Sequence, residues 1–424
     1  MNMNLYEHQT RALEQTKDQN RVAYYLDMGL GKTFVGSEKM HQLGATVNLV
    51  VCQKSKINDW VNHFEEHYLL YEVYDLTHKM DFDIFTGTDW ETIKNNGAIG
   101  VINYDLIFRR PELAKLKDFT LMLDESSLVQ NENSKRSRFI LRRLKPQNVI
   151  LLSGTPTGGK YEKLWSQCRL LGWDISKTAY WDAYVKYHFE DGNGFPFKVV
   201  DGYKNVERLK QKLREHGAVF MKSDEVFNLP EQIDSRIYVS TAKEYRKFRK
   251  DSIIVFDDIE FIGDTTLSKM LFERMLCGFA NDEKIKALRD LLESTEDRVI
   301  IFYNFTNELL KLKELCDDLH RPISVINGSS KDISEYEKSE NSVTLIQYQA
   351  GAMGLNLQLA NKIVYFTPPL SSELFEQSKK RIHRIGQEKP CFYYYMVCRN
   401  SIEEKIYRTL ALRRNYTERL FEEE

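Results

Sequence analysis

Short runs of Val, Ile, Leu and Tyr punctuate the first third of the chain: Arg21–Leu26, Val47–Cys52, Ala98–Ile102, Phe119–Leu123 and Asn148–Leu152. Each is nearly continuous in its apolarity instead of alternating. That is the pattern of a strand covered on both faces, and it predicts a parallel sheet sheathed by helices. The intervening segments are long enough for crossover helices, and Thr33–Leu43 reads as one of them. From Tyr161 to about Phe220 the strand-like runs give way to aromatic and charged sequence. This stretch reads as a mainly helical appendage, broken by the loop Asp191–Pro196. A second series of strand-like runs follows at Arg298–Tyr303, Ile323–Ile326, Val343–Ile346, Lys362–Phe366 and Cys391–Val397. Between the first two of these, Phe305, Leu309, Leu312, Leu315 and Leu319 recur at helical spacing. The fold class is therefore α/β, in two blocks, with the junction expected between Met221 and about Pro230.

A chain of 424 residues supports that division, since single domains run to roughly 100–200 residues. Hydrophobic residues make up 42% and aromatics 12%, enough for real cores and too much for a disordered chain. Lys and Arg number 60 against 62 Asp and Glu, a net charge of -2. A nucleic-acid partner would have to be held by a local basic surface, not by a global positive field. There is no run of 18 apolar residues, and Met1 to Gln9 lack the apolar segment of a signal peptide. No membrane association is expected. Six cysteines without a C-x-x-C pair argue against a zinc site or a disulfide framework and fit a reducing, cytoplasmic setting.

Two features carry candidate chemistry. Asp27-Met28-Gly29-Leu30-Gly31-Lys32-Thr33 lies between a predicted strand and a predicted helix, where a phosphate-binding loop belongs. Its glycines let backbone N–H groups approach phosphates, and the helix N-terminus favours negative charge. Lys32 would reach the β- and γ-phosphates and Thr33 would ligate Mg²⁺. Leu26 stands where the full pattern wants a small residue. Asp124 and Glu125 close another predicted strand in the same block. Paired carboxylates there can hold Mg²⁺ and activate water, although such pairs also arise at strand ends without function. Ser134–Lys145, Lys204–Arg214 and Lys243–Lys250 are rich in basic residues, as are both phosphate-tracking grooves and ordinary solvated helices. Tyr203, Tyr245, Phe248 and the five tryptophans read mainly as packing residues, and no histidine has a metal-ligand partner at suitable spacing.

In order, these segments resemble the motifs of the Swi/Snf-type ATPases of helicase superfamily 2, over nearly the whole chain. Leu5-Tyr6-Glu7-His8-Gln9 is similar to the adenine-reading Q motif and Asp27–Thr33 to motif I. Val50–Lys54 with Trp60 resembles motif Ia, with Gln53 where the family has proline. Val101–Asp105 resembles motif Ib. Asp124-Glu125-Ser126-Ser127 stands for the D-E-A-H box and lacks its histidine, so any link from the box to motif III, Leu152–Pro156, must be made differently. Val299–Phe302, Gly351–Leu357 and Gln377–Gln387 are similar to motifs IV, V and VI. The run Arg381-Ile382-His383-Arg384-Ile385-Gly386-Gln387 is the most specific of all.

The resemblance implies two RecA-like parallel-sheet lobes with helical insertions. Lobe 1 would span 1–222, with the appendage at about 160–220. Lobe 2 would span 223–424, with a helical lead-in at about 240–295. It implies ATP and Mg²⁺ as cofactors. Gln9, Met28, Gly29, Leu30, Gly31, Lys32, Thr33, Phe34, Gly354 and Asn356 would hold the nucleotide, and Thr33 and Asp124 the metal. Lys32, Asp124, Glu125, Arg381 and Arg384 would be catalytic, the two arginines sharing one helix face and stabilising charge on the γ-phosphate. Lys54, Asn103, Gly328 and Ser329 would contact a nucleic-acid backbone. The implied activity is a DNA-dependent ATPase that translocates on double-stranded DNA as a monomer. A strand-separating DNA or RNA helicase is the alternative within the class. An ATP-switched DNA-binding scaffold without turnover is the alternative outside it. Motifs fill the chain end to end, which suggests a bacterial or phage protein acting in the cytoplasm of its cell or host.

Overall fold

The computed structural model describes residues 5–89, 97–192, 194–256, 259–351 and 355–421. The chain divides into two compact units, Met1–Val226 with Tyr416–Glu424, and Phe227–Asn415.

The first unit is built on a seven-stranded sheet. Its strands are β1 (Arg21–Leu26), β2 (Val47–Cys52), β3 (Tyr71–Asp75), β4 (Gly97–Asn103), β5 (Thr120–Asp124), β6 (Asn148–Leu152) and, after a hairpin formed by β7 (Val185–Gly192) and β8 (Phe195–Tyr203), β9 (Ala218–Met221). The sheet order is β3-β4-β2-β5-β6-β1-β9, and every pairing is parallel. Central strands such as β2 and β6 are buried almost end to end, as continuous apolar runs require when helices cover both faces. Parallelism has a functional consequence. All the strands discharge their chain at one edge, so the segments after β1, β2, β4, β5, β6 and β9 lie along the same margin of the sheet.

The second unit repeats the plan with six parallel strands: β10 (Gln232–Val239), then, beyond the small hairpin β11 (Ile253–Phe256) and β12 (Ile259–Ile262), β13 (Val299–Tyr303), β14 (Ile323–Ile326), β15 (Val343–Gln347), β16 (Lys362–Tyr365) and β17 (Cys391–Cys398). Their order is β10-β17-β16-β13-β15-β14. Helices Lys243–Asp251, Thr266–Gly278 and Asp282–Glu293 precede β13. A buried ion pair, Lys284 Nζ to Glu403 Oε1 at 2.6 Å, ties the last of these helices to the one that follows β17. Among the described residues no helix is long and apolar enough to cross a membrane, and all six cysteines are buried free thiols.

The appendage departs from the helical expectation. It holds the helices Lys177–Tyr184 and Val206–Glu215, but between them β7 and β8 form a two-stranded antiparallel ribbon. The ribbon places Tyr187 and Phe189 beside Lys198, whose ammonium sits 3.9 Å from the Tyr187 ring centroid. A half-exposed ribbon is written in alternation, not in continuous apolar runs.

Candidate functional site

The turn after β1 is shaped by two glycines in the left-handed region, Gly29 (φ 89°) and Gly31 (φ 72°). Gly31 is also the residue before the helix Lys32–Leu43, which therefore starts with no side chain capping its N–H groups. A Cβ on Gly31 would come within 2.2 Å of Gln9 Nε2. Gln9 is buried against the turn, donating to Leu30 O at 3.3 Å, and His8 shares that carbonyl at 3.1 Å. From beneath, Asp27 clamps the turn. It accepts from Met28 N (3.0 Å) and from the Ser223 hydroxyl just beyond β9 (2.7 Å). Lys32 Nζ rests on Leu26 O (2.9 Å) and Asp27 O (3.2 Å), and a Cβ on Gly154 after β6 would be 3.3 Å from it. Thr33 sits in the first helical turn, and Phe34 packs edge-on against His63 with ring centroids 5.0 Å apart.

Asp124 ends β5, and its Oδ2 accepts from Trp60 Nε1 at 2.9 Å. Burial raises its carboxyl above the ordinary aspartate range. The Trp60 N–H and the nearby Lys32 ammonium pull the other way. Glu125 follows in a left-handed conformation (φ 53°), sparsely populated for a residue with a side chain and costing on the order of 1–3 kcal/mol. Ser153 Oγ donates to Glu125 Oε2 at 3.5 Å, and the Tyr104 hydroxyl holds Asp124 O at 2.8 Å.

The missing histidine of the acidic box is replaced by a relay. Ser126 Oγ donates to Gln167 Oε1 (2.8 Å), Tyr25 donates to the same oxygen (3.0 Å), and Gln167 Nε2 donates to Pro156 O (2.8 Å). The acidic strand end is thus connected to the Leu152–Pro156 segment by a buried glutamine. Gln167, Ser223 and the Trp60 N–H escaped the sequence reading. Gln167 and Ser223 belong to no motif, and Trp60, placed with Lys54 in motif Ia, read otherwise as a packing residue.

These residues fit a nucleotide with its metal. The glycine turn and the uncapped helix start present N–H groups, a lysine lies beside them, and a desolvated carboxylate next to a threonine-bearing helix favours a cation. Of the other residues expected here, Lys54 is exposed in the turn after β2, and Asn103 is buried at the end of β4.

In the second unit Arg381 and Arg384 do not share a helix face. The helix Ser372–Lys379 ends before them, and the chain turns. Arg381 is buried and donates to Leu355 O at 3.4 Å, whereas Arg384 is half-buried and pairs with the exposed Asn356. Burial lowers the Arg384 guanidinium pKa from its ordinary value. His383 bonds Pro230 O (2.9 Å), and Gln387 bonds Ala360 O (2.8 Å). Gly354 lies outside the described residues. Gly328 and Ser329 are exposed in a turn after β14 that is closed by Asn327 Oδ1, which accepts from Ser329 N (2.9 Å) and Ser330 N (2.8 Å).

Two parallel α/β units, the first carrying a glycine turn beside a lysine and paired carboxylates, define a protein of the phosphate-loop class. Within it the chain belongs to the SNF2-related domain family, whose model matches residues 18–318. The helicase conserved C-terminal domain model matches residues 283–386. Relatives include a SWI/SNF-related matrix-associated actin-dependent regulator of chromatin, subfamily A member 1, from Mus musculus (24% identical, 90% of this chain, 39% of the relative). The ISWI chromatin-remodeling complex ATPase ISW1 of Saccharomyces cerevisiae is 25% identical over 91% of this chain and 38% of its own length. The "Putative ATP-dependent helicase/translocase YwqA" of Bacillus subtilis is 24% identical over 90% of this chain and 44% of its own length. The chain thus spans well under half the length of these relatives. A solved SWI2/SNF2 ATPase core of Sulfolobus solfataricus in complex with dsDNA aligns at TM-score 0.44 and 19% identity, covering 98% of this chain and 92% of that one.

Proposed function

We propose that the chain is a nucleic-acid-dependent ATP hydrolase that translocates on double-stranded DNA as a monomer. The observation that carries this reading is the single margin of the first sheet on which Gln9, the Gly29–Gly31 turn, Lys32, Asp124 and Glu125 converge. Family membership supports it, as do relatives named as ATPases and as a helicase/translocase.

In this reading Gln9 fixes the turn and reads the base, while the N–H groups at the helix start and Lys32 hold the phosphates. The Thr33 hydroxyl and the Asp124 carboxylate would hold Mg²⁺, which would supply positive charge to the phosphate oxygens. Glu125 takes the proton of the attacking water, and its strained backbone and the Ser153 hydroxyl set its direction. Arg384 supplies positive charge for the γ-phosphate, which is worth on the order of 10³–10⁵ in rate for such arginines. Arg381, buried on Leu355 O, positions the Asn356 segment instead. Lys54, Asn103 and the Gly328–Ser329 turn contact the nucleic-acid backbone. Turnover steady-state assays with blunt duplex, single strand and no DNA test the reading. Duplex should be the strongest activator, and absence of turnover under all three conditions leaves only the switched scaffold.

One observation favours the strand-separating alternative. The β7–β8 ribbon exposes Phe189 (61%), Phe195 (80%) and Phe197 (50%). Aromatic rings at an exposed tip can stack on unpaired bases. Strand release from forked DNA that is lost on Phe195→Ser with Phe197→Ser would establish that activity over pure translocation.

A further inference from the structure

In two of the three basic stretches some cations are paired within their own unit. In the first, Arg136 bonds Leu128 O (3.2 Å) and Asp105 (3.3 Å). In the second, Lys210 pairs with Glu207 (2.8 Å) and Lys212 with Glu215 (2.6 Å). The third, Lys243–Lys250, pairs Lys243 with Glu244 (3.8 Å) but gathers other cations beside a cavity. Arg246, Arg249 and Lys250 stand at i, i+3 and i+4 on the helix Lys243–Asp251, so they share one face at about 5–6 Å between Cβ atoms. With Arg399, which follows β17, they line an open cavity of about 560 Å³ at the strand ends of β10 and β17.

The lining residues include four cations and no acid. Two of the cations are held in place: Arg249 Nη1 donates to Asn400 O (2.9 Å), and the Arg399 guanidinium lies over the Tyr238 ring at 4.8 Å. Tyr245, buried at 2% exposure, also lines the cavity. Its oxygen accepts from Ile402 N (2.9 Å), so its O–H proton is directed elsewhere. Ser240 and Thr241 add hydroxyls to the wall. An adjoining pocket shares Tyr245 and Arg249 but includes Glu273 and Glu404, so an anion is favoured on the acid-free side. Four cations with hydroxyl donors and no acid suit phosphate oxygens.

We propose that this cavity binds backbone phosphates of a nucleic-acid strand, as a contact separate from the Gly328–Ser329 turn. This rests on the nucleic-acid reading above. The turn follows β14 and the cavity follows β10, the two opposite edge strands of the sheet. Five strand spacings separate them, about 24 Å at roughly 4.8 Å each. The site lengthens the footprint on this unit by that distance. It also explains how a chain of net charge -2 holds a polyanion through local charge alone.

The test is duplex affinity against salt, measured by fluorescence anisotropy on the full chain. It compares wild type, Arg246→Gln/Lys250→Gln and the charge-preserving Arg246→Lys/Lys250→Arg. Loss of two phosphate contacts should lower the slope of log affinity on log salt by about 1.8 and weaken binding at 0.1 M salt by tenfold or more. The charge-preserving variant should restore most of both. Arg246 and Lys250 are both exposed, and matching melting temperatures confirm folding. An unchanged slope in the neutral variant, with wild type binding normally, overturns the site. Failure of wild type to bind any nucleic acid overturns the parent reading with it. Protection of wild type but not the neutral variant by pyrophosphate alone, with duplex binding unchanged, would make the cavity a free-anion site and overturn the proposal.

Discussion

Replacing Gln167 with Leu probes the relay that stands in for the missing histidine. Leu is similar in volume, so little cavity forms, and the cost is mainly in polar groups. Gln167 satisfies three of them: the Ser126 and Tyr25 hydroxyls at 2.8 and 3.0 Å, and Pro156 O at 2.8 Å. Each buried group left without a partner costs about 1–3 kcal/mol. Three such groups, with partial relaxation, give an expected loss of about 3–6 kcal/mol for the first unit. Ser126→Ala removes only one hydroxyl and leaves Gln167 bonded to Tyr25, so its cost should be about 1 kcal/mol. The two changes share a hydrogen bond, and the double variant should therefore be less destabilised than the sum of the singles. Urea unfolding followed by tryptophan fluorescence reads both values. ATP turnover of Gln167→Leu at a temperature where it remains folded should fall in kcat more than KM changes, because the relay positions the acidic strand end against Leu152–Pro156. A loss below about 1 kcal/mol, or strict additivity with Ser126→Ala, would refute the relay.

Lys32→Ala should abolish ATP turnover, whereas Glu125→Gln should still bind a fluorescent ATP analogue and fail to hydrolyse ATP, since glutamine cannot accept the proton. Arg384→Ala should lower kcat far more than it raises KM, as expected of a charge felt mainly in the transition state. Glu308 is fully buried, accepts from Asn304 N and Phe305 N, and is pushed by burial from 4.5 up to about 7. Between those values the folded chain keeps a proton that the unfolded chain releases, so stability declines as pH rises through the window, by about 3 kcal/mol in all. Glu308→Gln should flatten that part of the pH–stability curve, as read by urea midpoints from pH 4.5 to 8.

Continuous apolar runs located the central strands of both sheets closely. Asn148–Leu152 coincides with β6, and Arg298–Tyr303 contains β13. The strands that escaped are β3, β9 and β10, all at sheet edges, and the two hairpins. An edge or ribbon strand is covered on one side only, so β10 reads Gln-Ile-Asp-Ser-Arg-Ile-Tyr-Val, with charge and apolarity interleaved. The glycine turn before the helix Lys32–Leu43 was legible because glycine spacing and a following helix are local properties. The relay through Gln167 was not, because it joins residues 41 positions apart that carry no shared pattern. The misplaced arginine pair has a similar origin. A spacing of three implies a common face only within a helix, and the helix stops at Lys379.

Triplex displacement on purified wild-type protein tests the central claim most directly. A third strand bound to a blunt duplex should be released in an ATP-dependent manner by wild type and not by Glu125→Gln, with no release of the duplex strands themselves. Failure of wild type to displace the triplex while hydrolysing ATP, or efficient separation of the duplex with single strands as the better activator, would contradict translocation on double-stranded DNA.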